Sequence, residues 1–187
     1  MRIIAGSLKG RRLKAPTWDG LRPTSDKVRE TLFNVLAPRL AGARVLDGFA
    51  GTGAIGIEAI SRGAREVVFI EADRRARALV EANLAHCGVQ TGYTVVGGSV
   101  ARALHALAAT PGFVPFDIVV FDPPYDAAPA ETLAGADAVM APGGVLVLEH
   151  RRKETPPESS GRLIRVRQIA SGDSELTFYQ VGELPAK

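Results

Sequence analysis

The stretch RVLDGFAGTGAIGIEAISRGAREVVFIEAD, residues 44–73, decides how this chain folds. An apolar run ends at Asp47, Gly51, Gly53 and Gly56 then spell G-x-G-x-x-G, and a second apolar run ends at Glu71, twenty residues after Gly51. Strand, glycine turn, helix and strand make a βαβ unit, which binds a nucleotide-like ligand at its strand tips.

The alternation continues in both directions. YTVV at 93–96, FDIVVFD at 116–122 and GVLVLEH at 144–150 are near-continuous apolar runs, as expected of parallel strands covered on both faces. Helices are expected at Ala54–Arg62, Arg74–Cys87 and Val100–Ala109; the second places Ala76, Leu79, Val80, Asn83 and Leu84 on one face. RLIRVRQIA and ELTFYQV, joined by SGDS, alternate polar and apolar residues and read as an antiparallel hairpin. The expectation is a doubly wound α/β sheet closed by that hairpin. Upstream, RIIAGSLKGRRLKAP reads as a small β-hairpin, and RPTSDKVRETLFNVL as a helix capped at Ser25 with Val28, Leu32, Val35 and Leu36 inward. RRKETPPESSG, 151–161, reads as a flexible link. Two units follow: a basic extension, 1–20, and a main domain, 21–187.

Composition narrows the classes. The 187 residues are 46% hydrophobic and 23% charged, with one cysteine, Cys87, and three scattered histidines, so neither a disulfide framework nor a metal cluster is expected. No apolar run suggests a signal peptide or membrane span, which points to the cytoplasm. Residues 1–44 hold ten Lys or Arg against three acids, a net of +7, while residues 45–187 hold thirteen against seventeen, a net of −4. A basic arm on an acidic body suits a polyanion, with Arg2, Lys9, Arg11, Arg12, Lys14 and Arg22 as the phosphate contacts.

The glycine spacing alone would suit a dinucleotide, but Asp47 at the first strand tip opposes a pyrophosphate. S-adenosylmethionine carries no phosphate, and its ammonium suits Asp47 while Gly51 and Gly53 let the backbone approach. Glu71 suits ribose hydroxyls under either reading. Downstream, the fourth strand ends in Asp122, Pro123, Pro124 and Tyr125. Two prolines stiffen the turn, so the Asp122 carboxylate and Pro123 carbonyl converge as two acceptors for an exocyclic amine. Tyr125 offers a face on which a base can stack.

These residues resemble the RsmD-type family of 16S ribosomal RNA guanine-N2 methyltransferases, class I enzymes that use S-adenosylmethionine. The resemblance covers nearly the whole chain: MRIIAG with GRRL, GLRPTSDKVRETLFNVL, VLDGFAGTGAIGIEA, IEAD and DPPY stand in the family's order. It implies a Rossmann-like, mostly parallel sheet of seven strands and a cofactor held by Asp47, Phe49, Gly51, Gly53, Glu71, Ala72, Ser99 and Asp122. It also implies catalysis by Asp122, Pro123 and Tyr125, and a guanine in 16S RNA as substrate, within an assembled or assembling small subunit, for a monomeric enzyme. One departure is that VVGGSV after the third strand offers Ser99 where such enzymes often carry Asp or Asn. Three rival readings stay open: an oxidoreductase using NAD, an RNA-binding protein without catalysis, and a methyltransferase acting on adenine N6 in DNA or on an amine in another RNA, since two acceptors read an amine without telling the bases apart.

Overall fold

A computed structural model describes residues 1–20, 24–124 and 126–182. The elements run α1 (Asp26–Leu40), β1 (Arg44–Asp47), α2 (Ala54–Ser61), β2 (Glu66–Glu71), α3 (Arg74–His86), β3 (Tyr93–Gly97), α4 (Val100–Ala108) and β4 (Phe116–Phe121). They continue with α5 (Pro129–Leu133), a 3-10 turn (Ala136–Val139), β5 (Met140–Arg151), β6 (Ser159–Ser160), β7 (Leu163–Ser171) and β8 (Ser174–Val181). The strands form one sheet of order β3-β2-β1-β4-β5-β8-β7-β6. Strands β1 to β5 pair in parallel, and β8 turns the sheet antiparallel against β5. The order reverses between β1 and β4, which opens a crevice at their C-terminal ends.

Alternate side chains divide between two cores. Val45, Val67, Phe69, Ile118 and Val120 pack under α1, α2 and α3, whereas Leu46, Val68, Ile70, Val119 and Phe121 pack against α4 and the α5 region. Burial on both faces is why these strands read as unbroken apolar runs. Gly56 lets α2 approach β2: a Cβ there would lie 2.1 Å from the Phe69 ring. The doubly wound fold with its terminal hairpin is as expected, but the sheet has eight strands because two-residue β6 adds an edge within the stretch read as a flexible link. That link is anchored by the Tyr179 hydroxyl, which donates to the Pro157 carbonyl at 2.8 Å.

The N-terminal arm also departs from expectation. Its two sides pair as a small hairpin, at the bridge between Arg2 and Arg12 and through the amides of Ile3, Gly10 and Leu13, which donate to the carbonyls of Arg11, Ile3 and Met1, but it is built into the core rather than standing apart. Ile3 and Leu13 are buried in the same cluster as α1 and α2. Buried Glu58 of α2 accepts from the amides of Ile4 at 2.7 Å and Ala5 at 3.0 Å. Asn83 of α3 accepts from the Lys14 amide at 2.7 Å and donates to the carbonyls of Lys14 and Thr52. Arg29, fully buried on α1, donates to the Arg2 carbonyl and pairs with Asp26 and Glu58. The extension, 1–20, thus packs on the main domain through Ile3, Leu13 and these hydrogen bonds. Among the described residues no helix is long and apolar enough to cross a membrane.

Candidate active site

A cavity of about 630 Å³ occupies the crevice at the strand tips. Phe49 and Gly51 from the β1–α2 loop, Glu71 and Ala72 from the tip of β2, Ser99 before α4, and Asp122 and Pro123 after β4 all line it. Sequence reasoning had assigned each of these to the site. The volume falls in the range of small-molecule sites.

The loop itself answers the dinucleotide question. Its three motif-glycine amides bond within the protein: Gly51 N–H donates to Glu71 Oε2 at 2.9 Å, Gly53 N–H to the Ala50 carbonyl at 2.6 Å, and Gly56 N–H to Asp47 Oδ2 at 2.9 Å. Gly53 caps α2 with φ of 79°, the left-handed region where a side chain would be strained. A pyrophosphate needs such amides as donors. Here the carboxylates of Glu71 and Asp47 hold two of them and the Ala50 carbonyl the third, and Asp19, Asp73, Asp122 and Glu149 add acid to the wall.

Asp47 is placed differently from expectation. It is 1% exposed and lies behind the loop rather than in the cavity wall, because its carboxylate turns inward to cap the first turn of α2. Gly53 likewise shapes the loop from below. Burial is the main force that pushes the Asp47 carboxyl up to about 7, with the Gly56 amide opposing and the charges of Asp122 and Glu71 assisting. Its Oδ1 is buried without a hydrogen-bond partner among the described residues. An unmatched acidic oxygen beneath a loop favours a cation above that loop. With Glu71 placed for a diol and Ile70, Ala72 and Val100 forming an apolar slot, these residues fit the ammonium, ribose and adenine of S-adenosylmethionine.

Three wall elements went unnoticed in the sequence. Thr24, one residue before the Ser25 cap of α1, donates its hydroxyl to Asp122 Oδ2. Trp18 lines the cavity under the guanidinium of Arg75, 5.1 Å from the ring centroid. Glu149 of β5 lies beside Asp122, and Ser174 donates to its Oε1 at 2.8 Å. Glu149 did carry a signal: like Asp47, Glu71 and Asp122, it is an acid near the tip of an apolar strand. Tyr125 and Arg22, assigned to stacking and to RNA, lie outside the described residues. The remaining basic residues of the arm, Arg2, Lys9, Arg11, Arg12 and Lys14, are all exposed. None enters an ion pair among the described residues.

Comparison with known proteins agrees with this geometry. The family model described as "Conserved hypothetical protein 95" matches residues 1–180. The chain is 37% identical to "Putative rRNA methyltransferase YlbH" of Bacillus subtilis, over 96% of this chain and 98% of that protein. It is 46% identical to "Ribosomal RNA small subunit methyltransferase D" of Escherichia coli K12, over 67% of this chain and 60% of that protein. Among solved structures, "Putative methyltransferase yhhF from Escherichia coli" superposes with a TM-score of 0.80 at 35% identity, covering 97% of this chain and 98% of that one.

Proposed function

The chain belongs to the conserved hypothetical protein 95 family of RsmD-type methyltransferases, and from that premise we propose that it methylates the exocyclic N2 of a guanine in small-subunit ribosomal RNA. S-adenosylmethionine is the methyl donor and, when bound, supplies a methyl group made electrophilic by its sulfonium. Glu71 holds the ribose hydroxyls, the loop from Phe49 to Gly51 lies along the amino-acid end, and Ile70, Ala72, Ser99 and Val100 line the adenine side. Asp47 acts from beneath the loop, through charge and through the shape it gives Gly56 and α2.

The observation that carries the reading is Asp122, a carboxylate at the tip of β4 in the same cavity as Glu71 and backed by rigid Pro123 and Pro124. Asp122 and the Pro123 carbonyl accept the two amine hydrogens and turn the nitrogen lone pair toward the methyl donor. As nitrogen gains positive charge, the Asp122 carboxylate stabilises it. The product ammonium releases its proton to water. Tyr125 stacks the base, and Thr24 orients Asp122. The exposed cations of the arm, with Arg22, meet RNA phosphates. Small-subunit RNA places the enzyme in the cytoplasm, acting as a monomer on assembled or assembling particles.

The test is transfer of labelled methyl from S-adenosylmethionine to small subunits that lack the modification, followed by nucleoside analysis. Label in N2-methylguanosine supports the reading. Label confined to N6-methyladenosine, or none in RNA, contradicts it.

A further inference from the structure

Two acceptors at Asp122 and Pro123 read an amine but leave guanine and adenine undistinguished. A third acceptor stands beside them. β4 and β5 run parallel with Phe121 opposite Leu148, so Asp122 and Glu149 are the next neighbours along the two strands. Both line the same cavity. Glu149 is 7% exposed, and the Ser174 hydroxyl, presented by the start of β8, holds its Oε1 at 2.8 Å. A carboxylate nearly removed from water and held by a neighbouring hydroxyl is suited to a buried donor and opposes a buried acceptor.

We infer that Glu149 accepts the N1–H of the target guanine and thereby makes the site selective for guanine over adenine; the inference rests on the guanine reading above. In guanine the ring nitrogen next to the reacting amine carries a hydrogen. In adenine the ring nitrogen N1, next to the N6 amine, carries a lone pair. With the amine seated on Asp122 and Pro123, an adenine would turn that lone pair toward the Glu149 carboxylate, and two acceptors would face each other in a desolvated wall. Rejection of a substrate that lacks one required donor is among the strongest forms of discrimination a pocket achieves. Ser174 is the positioning residue in this arrangement.

The probe is a small subunit reconstituted on RNA whose methylated guanine is replaced by 2-aminopurine, which keeps the 2-amine but has a bare N1, or by adenine. Single-turnover methylation is measured for wild type, Glu149→Gln and Glu149→Asp, with S-adenosylhomocysteine affinity as the control for a folded site. Wild type is expected to favour guanine over 2-aminopurine by about 10- to 100-fold. Glu149→Gln, whose amide can donate to a bare N1, is expected to slow guanine and bring the two bases within about 3-fold, while Glu149→Asp slows guanine but keeps its preference. A guanine preference unchanged in Glu149→Gln, or lost equally in Glu149→Asp, overturns the assignment. Wild type that methylates an adenine and no guanine overturns the guanine reading itself, and shows this before any variant is made.

Discussion

Thr24 donates its hydroxyl hydrogen to Asp122 Oδ2, joining the foot of α1 to the tip of β4 across 98 residues of chain. Thr24 thus belongs to the candidate site, with Trp18, Asp19, Gly20 and Ser25 in the same wall. A carboxylate that must meet an amine at a set angle gains from such a partner. Thr24→Val keeps the shape and removes the donor. Single-turnover methylation is expected to fall by about 5- to 10-fold, the worth of one such hydrogen bond, with S-adenosylhomocysteine affinity unchanged and Thr24→Ser restoring the rate. A loss confined to cofactor affinity would contradict the role.

Removal of the arm is expected to cost the fold as well as RNA binding. Without residues 1–14 the core loses Ile3 and Leu13, and buried Glu58 loses two amide donors. Stripping partners from a buried charge costs about 3 to 5 kcal/mol, which lowers the melting temperature by roughly 10 °C or more in a domain of this size. The surface can be tested by itself: combined Lys9→Ala, Arg11→Ala and Arg12→Ala should leave melting unchanged. The log–log salt slope of RNA binding should become shallower by about 2. Unchanged salt dependence would make these cations ordinary surface.

The buried carboxyl of Asp47 makes stability depend on pH. Its value stands near 7 in the folded chain against an ordinary 3.8. Between those values the folded state keeps a proton that the unfolded state has released, so stability falls as pH rises through the window and levels off above about 7. Asp47→Asn lacks this term. Urea midpoints at pH 5, 6, 7 and 8 should show wild type losing ground to Asp47→Asn by up to ~1.4 kcal/mol per unit of pH. Parallel curves would remove the carboxyl from the account.

How much of this was legible in the sequence follows from what each element exposes to view. β1 to β4, α2 to α4 and the terminal hairpin were readable because the two-sided burial of Val, Ile and Leu and the glycine stops are local signals. Ala76, Leu79, Val80, Asn83 and Leu84 are the buried residues of α3, as its periodicity predicted. α5 and the 3-10 turn were missed, since PAETLAGADAV mixes helix formers with glycine and shows no period. Arg29 and Glu58 were missed because a charge on a helix is ordinarily solvated; only their mutual pairing and the arm's amides bury them. Asp47 was read as facing the ligand because a strand tip points to the crevice, whereas the nearby Gly56 amide turned it inward. Thr24 and Glu149 reach the site from strands and loops far apart in the chain, a juxtaposition that no local pattern encodes.

The internally satisfied loop predicts which cofactor binds. Calorimetry should register S-adenosylhomocysteine and no heat from NADH, because Gly51, Gly53 and Gly56 have no amide to offer a pyrophosphate. Glu71→Ala is expected to weaken S-adenosylhomocysteine by about 10-fold or more, since it removes a charged acceptor and also releases the Gly51 and Asp73 amides. NADH binding in place of S-adenosylhomocysteine would reverse the cofactor assignment.

The central claim is that Asp122 accepts from the reacting amine and stabilises it as it becomes positive. The most direct measurement is single-turnover methylation of small subunits by Asp122→Ala at saturating S-adenosylmethionine, with cofactor affinity determined separately. A rate lower by ~10² or more, with affinity changed far less, is the predicted result. Near-normal turnover, or a defect lying wholly in cofactor affinity, would contradict it.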